Sequence, residues 1–337
     1  MKISICIPTY NRANHLNNCL ESIALNKNST SIEYEVCISD NFSSDNTEEV
    51  VRSFQKKIPI KYYKNTCNIG RVNNYLNVVN IANGNFIWLI GDDDLLLSNA
   101  IFDLDRIISC NKDVDFFYIN SYCLDSHYLT SFTFPFNTKN LPNNMSLFSS
   151  WKKDGRIKFI DLINPKISFD FLGGMFLSVF KRENWLNNAN ILNNNASNDP
   201  REFSHYDNTF PHVKIFANAF SKSNAYFYSE PLTVNLSGVR EWSSFSPLVN
   251  SVRLIESLKE FRLNGLSYFK YIIYKNHALK NFIPDLVKMI LYSGQTGIDY
   301  VNPIKLVFFN CLYPNFYLSI LYFLLNKIKN MFMSYIK

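Results

Sequence analysis

The sequence predicts an α/β protein built on a mostly parallel central sheet flanked by helices. Three observations carry this. Between residues 3 and 90, runs rich in β-branched residues alternate with stretches whose apolar residues recur at three- and four-residue steps. Each run stops in polar residues, and in such sheets the loops beyond the strands' carboxyl ends share one ligand-binding edge. The last of these runs, residues 85–90, halts abruptly at Gly91-Asp92-Asp93-Asp94.

Residues 3–8 alternate in a strand pattern that Pro8 is expected to end, because proline cannot donate to a ladder. Thr9-Tyr10-Asn11-Arg12 then leads into a helix whose Leu16, Cys19, Leu20 and Ile23 share a face. Residues 34–39 form a second strand ending in Asp40-Asn41, and Ser43 or Ser44 caps a helix carrying Val50, Val51 and Phe54. Residues 58–63 make a third strand. Asn68-Ile69-Gly70-Arg71 opens a helix with Val72, Tyr75, Leu76, Val78, Val79 and Ile81 on its apolar face, closed by Asn83-Gly84. Residues 86–90 are the fourth strand, 101–108 a helix and 115–120 a further strand.

From 124 to 144 the periodicity fails, as in a long loop or hairpin insertion. A helix is expected over 155–162, and a strand over 173–182 that enters a helix at Trp185. Residues 187–199 read as a polar loop, 207–220 as a helix, and 226–232 and 233–236 as short strands.

After Trp242 the character changes. Residues 248–291 read as helical, with basic residues among aromatics and leucines, and 306–336 are strongly apolar. The apolar stretch 312–325 contains Pro314 and falls short of the ~20 residues that a spanning helix needs. An interfacial amphipathic helix is expected on a membrane surface, the alternative being a helix buried on the main domain.

Composition narrows the function. Hydrophobic residues at 47% and aromatics at 16% of 337 residues allow a large core. A net charge of +6 suits an anionic ligand or membrane surface and is too weak to argue for nucleic acid. The seven cysteines are scattered with no CxxC pair, as small core residues of a reducing compartment are. The Asn, Lys, Ile and Phe bias reads as that of an AT-rich genome, so single asparagines carry little weight. No apolar segment with a cleavage site precedes residue 3, so the expected location is cytoplasmic, peripheral on the inner face of the membrane.

Three adjacent carboxylates cannot be buried unpaired. At a strand's end they are either a divalent cation site or a solvated turn that caps the next helix, and the triplet alone does not decide between them. Its position level with residues 9–12 and Asp40 favours a ligand cleft.

Residues 3–12, 38–47, 68–71 and 84–94 together resemble family 2 glycosyltransferases of the GT-A fold. They are most similar to the bacterial abequosyltransferase-like branch, which has Gly-Asp-Asp-Asp where the wider family has Asp-x-Asp-Asp. The resemblance covers roughly the first 120 residues, with four motifs in order at strand ends. It implies a GT-A nucleotide-sugar-binding and catalytic domain over 1–245, with a donor half at 1–120 and an acceptor half at 121–245. Residues 246–337 would be a helical, membrane-associating region.

The implied reaction is inverting transfer from a UDP, CDP, GDP or dTDP sugar, with Mn²⁺ or Mg²⁺. The implied acceptor is a saccharide, polyprenyl-diphosphate-linked, in O-antigen or capsule synthesis. Pro8, Thr9, Asn11 and Arg12 would line the nucleotide site, Asp40 would contact the base, and Arg71 the base or the diphosphate. Asp92 would lie near the ribose and Asp93 would bind the metal. Gly91 replaces the first acid of the family motif, which leaves Asp92 and Asp94 as alternatives for assisting Asp93; Asp94 is carried as the second metal candidate.

Inversion in one displacement also needs a base for the acceptor hydroxyl. The matching position falls on Asp207, which serves equally well as a helix N-cap. His205 and His212 are the substitutes, and Asp170 and Glu241 lie further out. Two other readings stand against this one: a non-catalytic nucleotide-sugar-binding or membrane assembly subunit, and a dinucleotide oxidoreductase. The second lacks a G-x-G-x-x-G cradle after the first strand, and a P-loop is absent too.

Overall fold

A computed structural model describes residues 2–26, 32–125, 141–142, 145–237 and 243–335. The first half follows the expected alternation: β1 (Ile3–Thr9), α1 (Ala13–Ala24), β2 (Tyr34–Asp40), α2 (Thr47–Phe54), β3 (Ile60–Lys64), α3 (Arg71–Ile81) and β4 (Phe86–Leu89). A short β5 (Leu95–Leu96), α4 (Ala100–Cys110) and β6 (Phe116–Asp125) follow. Then come β7 (Ser146–Leu147), β8 (Gly155–Lys158), β9 (Ser178–Lys181), α5 (Arg182–Leu186), α6 (Asn194–Ser197), α7 (Tyr206–Thr209), α8 (Pro211–Phe220) and β10 (Asn224–Ser237).

Among the described residues all ten strands join one sheet, in the order β3-β2-β1-β4-β9-β6-β10-β5, with β7 on β6 and β8 on β10. Strands β3, β2, β1 and β4 run parallel, as do β6 and β10, whereas β9 enters antiparallel between β4 and β6. Strand order reverses at β1, which has β2 on one side and β4 on the other. That switch point opens a crevice at the carboxyl edge, because the connecting helices leave on opposite faces.

Several expectations are corrected. Pro8 does not end β1, which runs to Thr9. Pro8 stays in register with Ser39 of β2, whereas the pairing with β4 stops at Cys6, so the β4 side asks no donor of Pro8. Residues 155–158 are a strand instead of a helix, because exposed Arg156 and Lys158 alternate with Ile157 along an antiparallel partner. Only Phe159–Ile163 turn helical, as a 3₁₀ segment. The strand expected over 173–182 is confined to 178–181 and follows a 3₁₀ turn at Met175–Leu177. The two short strands after Tyr226 are one strand with a register shift between Tyr228 and Thr233, the place where Pro231 interrupts the ladder. Most of the irregular stretch at 124–144 lies outside the described residues, as does Glu241.

Aromatic residues build the second half. Phe116 meets Phe159 and Phe216 edge-on with ring centroids 4.8 and 5.1 Å apart, and Phe180 stacks on Trp185 at 4.9 Å. These contacts pin α5 and α8 to the sheet. The core continues past residue 245 into α9 (Ser246–Leu248), a π-helical turn at Val249–Arg253, α10 (Leu254–Leu263), α11 (Tyr268–Ala278) and α12 (Phe282–Leu291). Helices α13 (Pro303–Asn310) and α14 (Pro314–Tyr335) follow. Among the described residues no single helix is long and apolar enough to cross a membrane; α13 and the first part of α14 form an elbow bent by 106°.

Candidate active site

The acidic triplet sits where β4 ends, at the switch point. Each acid has a different partner. Asp92 accepts a hydrogen bond from the Thr9 hydroxyl at 2.8 Å and pairs with Arg12 Nη1 at 3.0 Å. Asp93 pairs with Arg12 Nη2, also at 3.0 Å. A single guanidinium from the loop after β1 thus bridges two carboxylates from the loop after β4. Asp94 is bound within the turn: its oxygens accept from the Gly91 N–H at 2.7 Å and from Asn235 Nδ2 at 2.9 Å, and it is buried. It closes the turn and ties it to β10. Gly91 is explained by the same packing, because a Cβ there would stand 2.6 Å from Asp93 Oδ1.

A cleft of about 820 Å³ opens from this turn. Pro8, Thr9, Arg12, Arg71, Asp92, Asp93, Asp94 and His212 line it, whereas Asn11, Asp40, His205 and Asp207 do not. Asn11 adopts a left-handed backbone (φ 51°) and its side-chain oxygen accepts from the Ser44 N–H, which holds the β1 and β2 loops together. Asp40 is wholly buried, with its oxygens accepting from the Ser43 N–H and the Tyr62 hydroxyl. It lies behind the cleft lining and presents no exposed edge to a nucleotide base, contrary to the expectation. Tyr62 is in turn held in its neutral form, because burial and the Asp40 carboxylate both push its hydroxyl up.

Arg71 begins α3 directly after Gly70, whose φ of 82° favours glycine at that turn. Its guanidinium lies 4.4 Å over the Phe203 ring and donates to the Asn208 carbonyl at 2.6 Å. It therefore bridges the two halves of the cleft. Phe203 is itself in a left-handed conformation (φ 63°), with its carbonyl held by buried Arg253 of the C-terminal helices.

Asp207 is turned out of the cleft. Lys214 Nζ contacts both its oxygens, at 3.0 and 2.8 Å, and the Asn193 N–H donates to it at 2.7 Å. The carboxylate fastens the start of α7 to α8 and to residue 193. His205 is half exposed beside Asp199. His212 is buried against the cleft, its Nε2 3.0 Å from the Gly173 carbonyl. That carbonyl only accepts, so Nε2 carries the proton, and burial lowers the imidazole to about 4.

Three further carboxylates line the cleft, of which the sequence offers only Asp170, as an outlying candidate. Asp170 accepts from Ser168 Oγ at 2.8 Å and the Gly174 N–H at 2.6 Å, and burial raises it above the ordinary carboxylate value. Asp199 is held well below that range by the Arg201 fork. Glu202 is exposed and has no hydrogen-bond or ionic partner among the described residues. Asparagines were also undervalued. Buried Asn74 of α3 accepts from Ser39 Oγ at 2.7 Å and donates to the Ser39 carbonyl at 3.0 Å, and Asn41 holds Asn68 and the Ile69 N–H. For Asn74 the available signal is a polar residue among the buried residues of a helix.

Among the described residues no group of three or more His, Cys, Asp or Glu side chains is placed to cage a metal ion. A Mg²⁺-type ion needs less, since one or two carboxylates and substrate phosphates complete its shell with water. Asp93, on the cleft wall with its side chain 17% exposed, fits that demand; Asp94, committed to the turn, does not.

One consequence of burial is measurable. A histidine at about 4 in the folded chain and 6.5 when unfolded leaves the unfolded state binding more protons between those values, so stability falls as pH drops from 6.5 to 4. His277, also lowered by burial, adds to this. Chemical denaturation followed across that window should show His212→Gln with a shallower loss than the unsubstituted chain.

Residues 4–127 match the family model described as "Glycosyl transferase family 2". Over 116 residues the chain is 39% identical to the abequosyltransferase RfbV of Salmonella typhimurium, covering 34% of each chain. Over 292 residues it is 26% identical to the GalNAc(5)-diNAcBac-PP-undecaprenol beta-1,3-glucosyltransferase of Campylobacter jejuni, covering 83% of this chain and 84% of that one. The chain spans about a third of the length of the first curated relatives it matches. In fold it resembles S. aureus TarS 1-349 in complex with UDP-GlcNAc (TM-score 0.55, 18% identity, 87% of this chain and 74% of that one). It also resembles the mannosyltransferase PcManGT from Pyrobaculum calidifontis in complex with GDP-Man and Mn²⁺ (TM-score 0.51, 12% identity, 98% and 86%). The fold is GT-A, and residues 4–127 are similar to glycosyl transferase family 2.

Proposed function

We propose that the protein transfers a sugar, with inversion, from a nucleotide-sugar donor to a saccharide hydroxyl in the synthesis of a surface polysaccharide. The observation that carries this is the Thr9–Arg12–Asp92–Asp93 cluster, set at the switch point of a parallel sheet and opening on a cleft large enough for donor and acceptor. The UDP-GlcNAc and GDP-Man named for the structural relatives support a nucleotide-sugar donor. The undecaprenol-linked acceptor named for the Campylobacter relative supports a polyprenyl-diphosphate-linked one.

Asp93 would hold Mn²⁺ or Mg²⁺. Bound there, the ion supplies the positive charge that the departing diphosphate requires. Arg12 keeps Asp92 and Asp93 at one place on the cleft wall, and its guanidinium adds positive charge on the same side. Thr9 fixes the Asp92 carboxylate. Asp93→Ala should lower transfer by about 10²-fold or more, and a chelator should do the same, reversed by Mn²⁺. Full activity in chelator, read as release of nucleoside diphosphate, would contradict the metal assignment.

The base moves from Asp207 to Asp170. A base must lie in the cleft, keep a fixed direction and have a raised affinity for protons. Asp207 is neutralised by Lys214 outside the cleft, Asp199 by Arg201, and Glu202 is unfixed. Asp170 satisfies all three conditions, and His212 steadies the loop that carries it by binding Gly173. Asp170→Asn should lose about 10²- to 10⁴-fold in turnover with donor binding intact. Asp207→Asn should instead cost about 1–3 kcal/mol of stability and keep its turnover; the reverse pattern in paired kinetics and melts would return the role to Asp207.

The elbow of α13 and α14 supports a membrane surface as a further partner, on the inner face of the cytoplasmic membrane. Ile304, Phe308 and Leu312 are 80%, 71% and 90% exposed, with Lys305 exposed among them. Asn315 ties the start of α14 to Asn276, so this apolar edge projects from a fixed base. The full chain should sediment with phosphatidylglycerol vesicles, and Phe308→Glu with Leu312→Glu should abolish this. Equal sedimentation of both would contradict it.

A further inference from the structure

The loop at residues 168–174 is built with more care than a connection needs. Phe171 and Leu172 are consecutive non-glycine residues in the left-handed region, with φ of 50° and 67°, and both are fully buried. Such strain persists only where the surroundings enforce it, and it gathers at ligand sites. Here buried Ser168 enforces it, its hydroxyl accepting from the Leu172 N–H at 2.9 Å and donating to Asp170. The Trp88 indole N–H, reaching from β4, donates to the Phe176 carbonyl at 3.0 Å and fixes the loop's far end beside the strand that carries the acidic turn.

The turn throws Phe169 outward. Its ring is 51% exposed on the cleft wall, yet it is not loose: it stacks on Phe148 at 4.7 Å, and Phe148 stands edge-on to Phe176 at 5.3 Å. Phe148 is itself anchored by its N–H to the Ser121 carbonyl. The result is a rigid aromatic face, open on one side, adjoining a fixed carboxylate. A pyranose ring has the matching character, with an apolar C–H face and a rim of hydroxyls.

We propose that Phe169, braced by Phe148, is the platform on which a sugar ring of the acceptor stacks, bringing one of its hydroxyls to Asp170. This rests on the transferase reading of the cleft and adds to it a subsite for the acceptor saccharide. Stacking sets the ring plane and the carboxylate sets its rotation, so the two together select one hydroxyl. Phe148 acts only through Phe169 and is a positioning residue.

The test uses the full chain and four probes: the methyl β-glycosides of glucose, galactose, N-acetylglucosamine and N-acetylgalactosamine. Saturation-transfer NMR should detect at least one of them bound to the unsubstituted protein. Phe169→Ala and Phe169→Leu should both weaken that binding about three- to tenfold, whereas Phe169→Trp keeps it. The leucine variant retains apolar bulk without the ring face, and it decides the matter if the alanine variant does not fold. Nucleoside diphosphate binding, followed by thermal shift with UDP, CDP, GDP and dTDP plus Mn²⁺, should be the same in all four proteins. Unchanged glycoside binding in the alanine or leucine variant, or no glycoside bound by the unsubstituted protein, overturns the platform. Glycoside binding that depends on Phe169 in a protein that binds none of the nucleotides would uphold the platform and overturn the donor reading.

Discussion

Everything at the cleft depends on keeping Asp92 and Asp93 charged side by side at the end of β4. Two unit charges 4 Å apart interact by about 4 kcal/mol at an effective dielectric near 20, so the turn forms only with positive charge close by. Arg12 supplies it, one nitrogen to each carboxylate. Because Arg12 follows β1 and the acids follow β4, the same pairing draws together the two strands that flank the switch point. The helix and sheet geometry brings the loops near; the ion pairs fix their relative position. Asp94 shows how the cost of a third acid is avoided, since it accepts two hydrogen bonds inside the turn.

The second half of the cleft is held by cross-links of a different kind. Arg71 stacks on Phe203 and binds Asn208, Trp88 binds Phe176, and His212 binds Gly173. Each reaches from a well-packed element to a carbonyl or ring in the loops and short helices across the cleft. Arg253 does the same from the C-terminal helices, and the continuous core across residue 245 gives those helices a share in shaping the site. A membrane-bound elbow on this layer would then orient the cleft toward a lipid-linked acceptor.

Much of residues 1–120 was legible in the sequence because there the signals are local. β-Branched runs, three- and four-residue periodicity and polar residues at strand ends are each set by neighbours in the chain, and they located Thr9, Arg12 and the triplet. The structure of residues 121–245 is set by long-range contacts. Residues 155–158 become a strand only because β10 offers an edge, and Gly173 to Leu177 bend because Trp88 and Asp170 bind the turn. Position in a motif points to Asp207, yet Lys214, seven residues on in α8, claims it. No pattern of periods reveals such a partner. The asparagines were discounted as composition, and the buried Asn41 and Asn74 carry the loops nonetheless.

On the function proposed, the Arg12-bridged acids form the floor of a site for a nucleoside diphosphate. Isothermal titration of the full chain with UDP, CDP, GDP and dTDP, each with and without Mn²⁺, tests it most directly. One nucleotide should bind in a Mn²⁺-dependent manner, and Asp93→Asn should remove the Mn²⁺ dependence. Absence of binding for all four nucleotides, or binding indifferent to both Mn²⁺ and Asp93, would contradict the account.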